Sequence, residues 1–576
     1  MPVTFRGHAG ALHRPGRGPR LDTAVVICPP LGREGRCAHR ALWRWAGQLA
    51  AQGLQVLRYD HLGEGDSLDL DPAADQWSVW LEGVRHAAAF CRAHTGADRI
   101  ALVGLRSGAT LAAAAAAAAE VDELVLMAPF ETGAAWLNEL RLTARVKGGE
   151  IHADESIEVD GLHLGAAAVA TLEDVRPARH DVCGRILVAG PKAFRGDSDE
   201  LVETIPLPGL AKLFRDAHVN EAPQPSLDRI AKWLLAGAAP ARRPDPDLPP
   251  AGLIDDDWTE AVIAFGPGLR GVLCKPRGAA SRQAVIFGNT GGDPRAGIGS
   301  FAARASRALA VAGVAAFRID FAGVGESAAQ SGWRSHVYET SRVADFRAAA
   351  AVLQAEGFDD ITLAGVCTGG YHAVHAALED PQFPKAMAFN AWLVWRAGAE
   401  LESTELRAAL RPADMPILAR SRAATRRERM LRRLQGLGDA LRLSWKALHP
   451  DASARAVRKA FAAARRRGVR IRLVFGRGDV SMRGLHADFH RGGAWLTRLR
   501  GVSVARVPGM DHALFSRPSQ AAACAELCAF LGVVPQASAA EPGPVERAAP
   551  ARHPPDRAYG DSSMNRSTGA LASTSR

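Results

Sequence analysis

Residues 361–380 read ITLAGVCTGGYHAVHAALED, and the order of residue types in this stretch decides the fold. Ile361 to Ala364 form a short apolar run of the kind that makes a strand buried on both faces. Gly365-Val366-Cys367-Thr368-Gly369 follows at once, and a segment with apolar residues at helical spacing begins directly after it. A strand that turns this sharply into a helix strains the residue at its tip, and small neighbours on both sides relieve the crowding. The pattern predicts a strand–turn–helix with Cys367 held out at the top of a sheet.

Working outward, the same stretch occurs earlier as IALVGLRSGATLAA from Ile100, 261 residues before Ile361. VLRYDHLGEGDS (56–67) recurs as AFRIDFAGVGES (316–327), so that Asp60, Gly63, Gly65 and Ser67 match Asp320, Gly323, Gly325 and Ser327 at an offset of 260. GALHRP ending at Pro15 matches GVLCKP ending at Pro276, again 261 apart. Three matches at nearly one offset mark two tandem copies of one domain. In each copy apolar runs such as AVVIC (24–28) and LQVLRY (54–59) alternate with helical stretches such as RALWRWAGQLAAQG (40–53). That alternation implies an α/β architecture, a mostly parallel sheet with helices on both faces. Extra helical sequence between turn and late strands predicts a helical cap in each copy, the second at roughly 395–467. The expected boundaries are a first domain at 1–236, a Pro-rich linker at 237–252, a second domain at 253–535 and a disordered tail at 536–576.

Composition narrows the function classes. Hydrophobic residues are 47% and charged residues 23% of the 576, a balance that fits a globular protein. Lys and Arg number 71 against 61 Asp and Glu, and seven arginines crowd between Ala419 and Leu434. Such a helix face could attract an anionic substrate, but no interleaved aromatics or nucleic-acid motif accompany it, so nucleic acid is not expected as a partner. No run of 18 apolar residues predicts a membrane span. The first 16 residues lack the apolar segment of a secretory signal, and the eight scattered cysteines suggest neither a disulfide framework nor a zinc site. A reducing, cytoplasmic setting is the expectation.

Cys367 stands where a nucleophile stands, at the positive end of a helix, which predicts a depressed thiol pKa. The alternative, a small residue merely buried after a strand, fits less well with both flanking glycines and the repeat of the motif. A thiol nucleophile needs a base, and the base an orienting acid. Asp479 follows the apolar run RIRLVFG (470–476), and His512 lies in PGMDHALF before the last helix. They arrive in the order nucleophile, acid, histidine. His372, His375, His486 and His490 are rival histidines with solvated or packing roles expected, and Asp488 is the rival acid. Oxyanion donors are expected from the Thr368 N–H and from Asn289 or Thr290 in the loop GNTGG (288–292). That loop lacks the phosphate-binding patterns, so no nucleotide cofactor is expected, and no metal.

In the first copy Arg106 replaces the nucleophile, and a guanidinium cannot attack a carbonyl. Ser107 is one residue out of register. His218 matches His512, but no acid is clear, Asp197 and Asp199 lying after RILVAG in a longer loop. This copy is expected to be degenerate, structural or anion-binding through Arg106.

With these motifs in place, both copies resemble the α/β-hydrolase fold family, near its serine aminopeptidase-like and dienelactone hydrolase-like branches. The Cys and Arg turns together resemble the paired exosortase A system-associated hydrolases of exopolysaccharide gene clusters. The resemblance implies hydrolysis of a small-molecule ester or thioester through an acyl-enzyme. Acyl transfer is an alternative, since G-x-C-x-G-G also resembles polyester synthases, and a non-catalytic scaffold or binding protein is another.

Overall fold

The computed structural model describes residues 1–16, 18–176, 184–190, 202–278, 281–329, 338, 341–393, 452–477, 479–489 and 493–534. The arginine run at 420–433, Asp197, Asp199, His490 and the tail lie outside the described residues, as does the Asp488 side chain.

The first sheet comprises β1 (Pro2–Phe5), β2 (His8–His13), β3 (Thr23–Cys28), β4 (Gln55–Tyr59), β5 (Arg99–Leu105) and β6 (Glu123–Met127). After a small separate sheet of β7 (Glu150–Ile151), β8 (Ile157–Val159) and β9 (Leu162–Leu164), it resumes with β10 (Arg185–Gly190) and β11 (Val202–Pro206). The second sheet comprises β12 (Leu253–Ile254), β13 (Trp258–Phe265), β14 (Leu269–Pro276), β15 (Gln283–Phe287), β16 (Ala315–Asp320), β17 (Asp360–Val366), β18 (Lys385–Phe389), β19 (Arg470–Gly476) and β20 (Val502–Val507). The orders are β1-β2-β4-β3-β5-β6-β10-β11 and β12-β13-β14-β16-β15-β17-β18-β19-β20. Counted from β1 and from β13, the two orders are identical. In both, the second strand pairs antiparallel with both its neighbours, and the strands from the third onward pair parallel with one another. All six residues of β3 are buried, which explains its unbroken apolar run.

The repeated D-x-x-G-x-G-x-S motif is structural. Ser67 Oγ donates to Asp60 O and accepts from Ala9 N, and Ser327 Oγ does the same with Asp320 O and Arg270 N. A Cβ on Gly65 or Gly325 would lie 2.1 or 2.3 Å from the Asp60 or Asp320 carboxylate, at φ of 58° and 52°. The motif folds the chain back after the fourth strand and ties it to the second.

The first cap differs from the expected helices. It contains the helices Gly133–Lys147 and Ala166–Asp174, but between them runs the three-stranded antiparallel β7–β9. Asp160 and Gly161, both at positive φ, make the hairpin turn, and Ile157 and Val159 alternate with polar neighbours on one strand. Of the second cap only the helix Ala452–Arg466 lies among the described residues.

The two halves interlock through reciprocal ion pairs. Arg58 of β4 pairs with Glu326, and Arg318 of β16 pairs with Asp66 at 3.0 Å. The two arginines and the two acids each stand 260 residues apart, so one contact is made twice, as across an approximate two-fold axis. Arg295 adds Asp66 at 2.9 Å and Asp320 at 2.8 Å.

Candidate active site

Cys367 joins β17 to the helix Thr368–Glu379 with φ 52° and ψ −114°. Only close packing holds a non-glycine residue there. A Cβ on Gly365 would lie 2.3 Å from Gly369 C, and one on Gly369 would lie 2.6 Å from Gly288 O. The glycines thus let strand, helix and the loop 288–292 meet with the thiol at their junction.

The histidine loop is brought to that junction by three anchors. Asn390, fully buried, donates from Nδ2 to Asp511 O at 2.7 Å and His512 O at 2.9 Å, and accepts at Oδ1 from Gly476 N at 2.7 Å. Asp511 accepts from Phe515 N and Ser516 N. Asp479 Oδ2 meets His512 Nδ1 at 2.9 Å, while its Oδ1 accepts from the Ser481 N–H at 2.8 Å and from the Ser481 hydroxyl. Asn390 and Ser481 escaped the sequence reading. Asn390 closes β18 at a positive φ, a position where asparagine is favoured, and that was its one sequence-level signal.

Electrostatics follow the geometry. Burial pushes the Cys367 thiol up, but the hydrogen bond and charge of His512, then the Tyr338 hydroxyl and the Thr368 N–H, hold it below the usual thiol value. Burial pushes His512 down, and Asp479 and the Cys367 sulfur outweigh it, raising the imidazole well above its usual range. Burial likewise pushes Asp479 up, and His512 and Ser481 bring it below the ordinary carboxylate value. All three shifts act in one direction, favouring a thiolate at Cys367 and an imidazolium at His512 beside the Asp479 carboxylate. Tyr338 Oη lies 3.7 Å from Cys367 Sγ and packs edge-on against Tyr371; it too was missed in the sequence.

In the loop expected to supply oxyanion donors, Gly291 N donates to Thr368 Oγ1, which clamps the loop to the helix start. The Asn289 side chain is committed elsewhere: Nδ2 donates to Asp293 O and Asp320 Oδ1, and Oδ1 accepts from Phe321 N. Any donation from Asn289 is therefore by its backbone. Thr290 lines a small cleft with Gly365 and Ala513, the neighbour of His512. Of the rival histidines, His372 is buried among Phe321 and Tyr371, and His375 meets Glu379 at 3.5 Å.

In the first half the turn survives without its chemistry. Arg106 has φ 55° and ψ −121°, nearly the values at Cys367. Its guanidinium pairs with Glu34 at 3.0 Å and with Glu139, and lies 4.1 Å from the Phe130 ring centre. Two carboxylates already satisfy it, so the expected anion site at Arg106 is not formed. Ser107 is buried and accepts from Leu31 N at 2.9 Å, the counterpart of the Thr368 clamp and not a nucleophile. Pro29 and Pro30 occupy the places of Asn289 and Thr290, and proline has no N–H to offer an oxyanion. Ala128, at φ 48°, replaces Asn390. His218 lies against the other half, where a Cβ on Gly292 would sit 2.7 Å from its N.

A larger cavity of about 470 Å³ lies between the halves around Arg58, Asp66, Arg295 and Glu326, and no Cys or Ser lines it. Among the described residues no helix is long and apolar enough to cross a membrane.

No family profile matches the chain, and no curated protein does. Solved structures do. Est1E from Butyrivibrio proteoclasticus with ferulic acid bound is 17% identical, covers 41% of this chain and 98% of its own, and has a TM-score of 0.31. An α/β serine hydrolase homologue from Coxiella burnetii is 14% identical over 48% of this chain and 99% of its own, at a TM-score of 0.29. An esterase from Pyrococcus furiosus is 14% identical over 48% and 92%, at 0.31. The strand order held by both sheets and the strained turn after the fifth strand of that order are by themselves those of the α/β-hydrolase fold.

Proposed function

We propose that the chain is a thiol-dependent hydrolase of esters or thioesters, with Cys367 as nucleophile, His512 as proton carrier and Asp479 as its orienting acid. One observation carries this reading: an elbow thiol whose proton affinity is lowered by a histidine that a buried carboxylate holds in place. The Cys367 thiolate adds to the acyl carbon, and the carbonyl oxygen takes up the negative charge against the N–H groups of Thr368 and of Asn289 or Thr290. As the tetrahedral species collapses, the His512 imidazolium gives its proton to the departing alkoxide or thiolate, leaving an S-acyl-enzyme. His512, now neutral, takes a proton from water; the hydroxide adds to the acyl carbon, and the carboxylic acid leaves as the sulfur departs. Asp479 fixes the ring tautomer throughout. In this reading residues 1–236 and 253–535 are two domains joined by 237–252, the second carrying the chemistry.

The test is intact mass after exposure to p-nitrophenyl acyl esters. An acyl adduct confined to Cys367, and absent from Cys367→Ala, is the expected result. No adduct over a range of acyl lengths would leave the protein a scaffold or binding module.

A further inference from the structure

The first half, chemically silent at Arg106, reaches into the second half's site. The helix Gly32–Ala51 carries Arg40 and Arg44, and the segment after the short helix Leu210–Leu213 carries His218. Together with Arg342, Gly291 and Thr368 of the second half they line a cavity of about 200 Å³. Gly291 belongs to the loop 288–292 and Thr368 follows Cys367, so the cavity borders the reacting group's place.

The lining is one-sided in charge: among the described residues it carries three arginines and no Asp or Glu. Arg342 is nearly buried, stacks on Phe321, donates to Ala322 O and shares Asp345 at 3.5 Å; its Nε is buried with no partner among the described residues. Among the described residues Arg40 donates to main-chain carbonyls, of Gly325 at 2.8 Å and Ser327 at 3.2 Å. Arg44 is exposed and meets no carboxylate among the described residues. Burial and the nearby Arg44 charge both weaken the hold of Arg40 on its proton, the mark of two like charges held together. A bound anion relieves that repulsion, and planar guanidinium forks suit carboxylate and phosphate oxygens.

We propose that this cavity seats an anionic group of the substrate, a carboxylate or a phosphate, between Arg40, Arg44 and Arg342, so that the first half sets the specificity of the second. The word substrate rests on the hydrolase reading; the anion site itself does not. The physical logic is division of labour. A half that has lost nucleophile, oxyanion donor and histidine clamp retains a helix and a loop that wall the working site. The arginine pair then selects substrates by charge beside the turn that carries Cys367.

Two measurements test it, each on the full chain. The first is calorimetric binding of inorganic phosphate and of succinate to Cys367→Ala, alone and with Arg44→Glu, with Arg500→Glu as a charge-matched exposed control. Binding weakened about tenfold or more by Arg44→Glu, the worth of a partly screened charged contact, and unchanged by Arg500→Glu supports the site. Equal weakening by both variants, or no binding, overturns it. The second is the kcat/KM ratio for p-nitrophenyl hemisuccinate over p-nitrophenyl butyrate. A parent ratio above one that falls about tenfold in Arg44→Glu supports the assignment to substrate selection. A parent ratio at or below one overturns it. Anion binding lost in Arg44→Glu while neither ester is cleaved keeps the anion site and refutes the hydrolase reading instead; a phosphate preference over succinate in binding distinguishes the two anions.

Discussion

Cys367 differs from the other described cysteines in what its proton meets. Burial pushes the Cys28 thiol up to about 12 and Cys37 to about 11, whereas His512 draws Cys367 below the usual thiol value. The sign of the pH dependence follows. Raising pH through the lowered Cys367 value creates the reactive thiolate, and the imidazolium persists until pH passes the raised His512 value. Alkylation of Cys367 by iodoacetamide should therefore stay fast at pH values below the range in which an ordinary thiol ionises, where Cys28 and Cys37 are silent, and His512→Ala should move its onset to higher pH. Peptide mass mapping across pH checks this; a Cys367 profile matching an ordinary thiol would refute the ion pair. Cys367→Ala should abolish ester turnover, while Asp479→Asn should cost about a hundredfold less, because orienting a base is a smaller contribution than forming the bond.

At the scale of elements, Asn390 at the end of β18 joins the acid strand to the histidine loop through three hydrogen bonds. Asn390→Ala should lower stability by about 1–3 kcal/mol, the cost of unpaired buried groups. It should also lower kcat and raise the pH at which Cys367 alkylates, because the His512 loop is no longer held; urea melts and the alkylation profile read the two effects separately. The first half shows the same dependence from its other side. Arg106→Cys should yield no acyl adduct at residue 106, since Pro30 offers no N–H and Ala128 cannot clamp a histidine loop. An adduct there by mass mapping would overturn this account. The elements legible in the sequence were those with a local signal: the G-x-C-x-G turn, the alternation of strand and helix, and the repeat. Asn390 and Tyr338 act through partners far along the chain, and no spacing rule marks such contacts, whereas Ser481 bonds Asp479 only two residues away in a local turn that the reading passed over. Pro29-Pro30 was the exception, readable once aligned at 260 residues with Asn289-Thr290. The β7–β9 hairpin also carried a local signal, Asp160-Gly161, which the helical expectation for the cap overrode.

At the scale of the whole molecule, the repeated motif after the fourth strand serves as the joint. Asp66 and Glu326 occupy one position of that motif, and each reaches the fourth-strand arginine of the other half. Arg318 has no solvent exposure and is held by Asp66 and by Glu260, at 2.6 Å. Arg307 extends the network, donating to Asp66 O and Ser67 O and pairing with Glu260 at 2.8 Å. Burying so many charges gains little in itself, but removing one partner leaves its neighbours desolvated and unpaired, at about 3–5 kcal/mol. Charges shared this way bind the halves into one cooperative unit, which a silent half must be if it is to wall the working site. Asp66→Asn should thus destabilise the second half as much as the first, although Asp66 belongs to the first. Cys91 and Cys274 are fully buried in the first and second halves respectively and report each locally. In pulsed thiol labelling across a urea series, both should become reactive at one midpoint, and Asp66→Asn should lower that midpoint for both together. Two separate midpoints, or a shift confined to Cys91, would mean that the halves fold independently and that the ion pairs only decorate their contact.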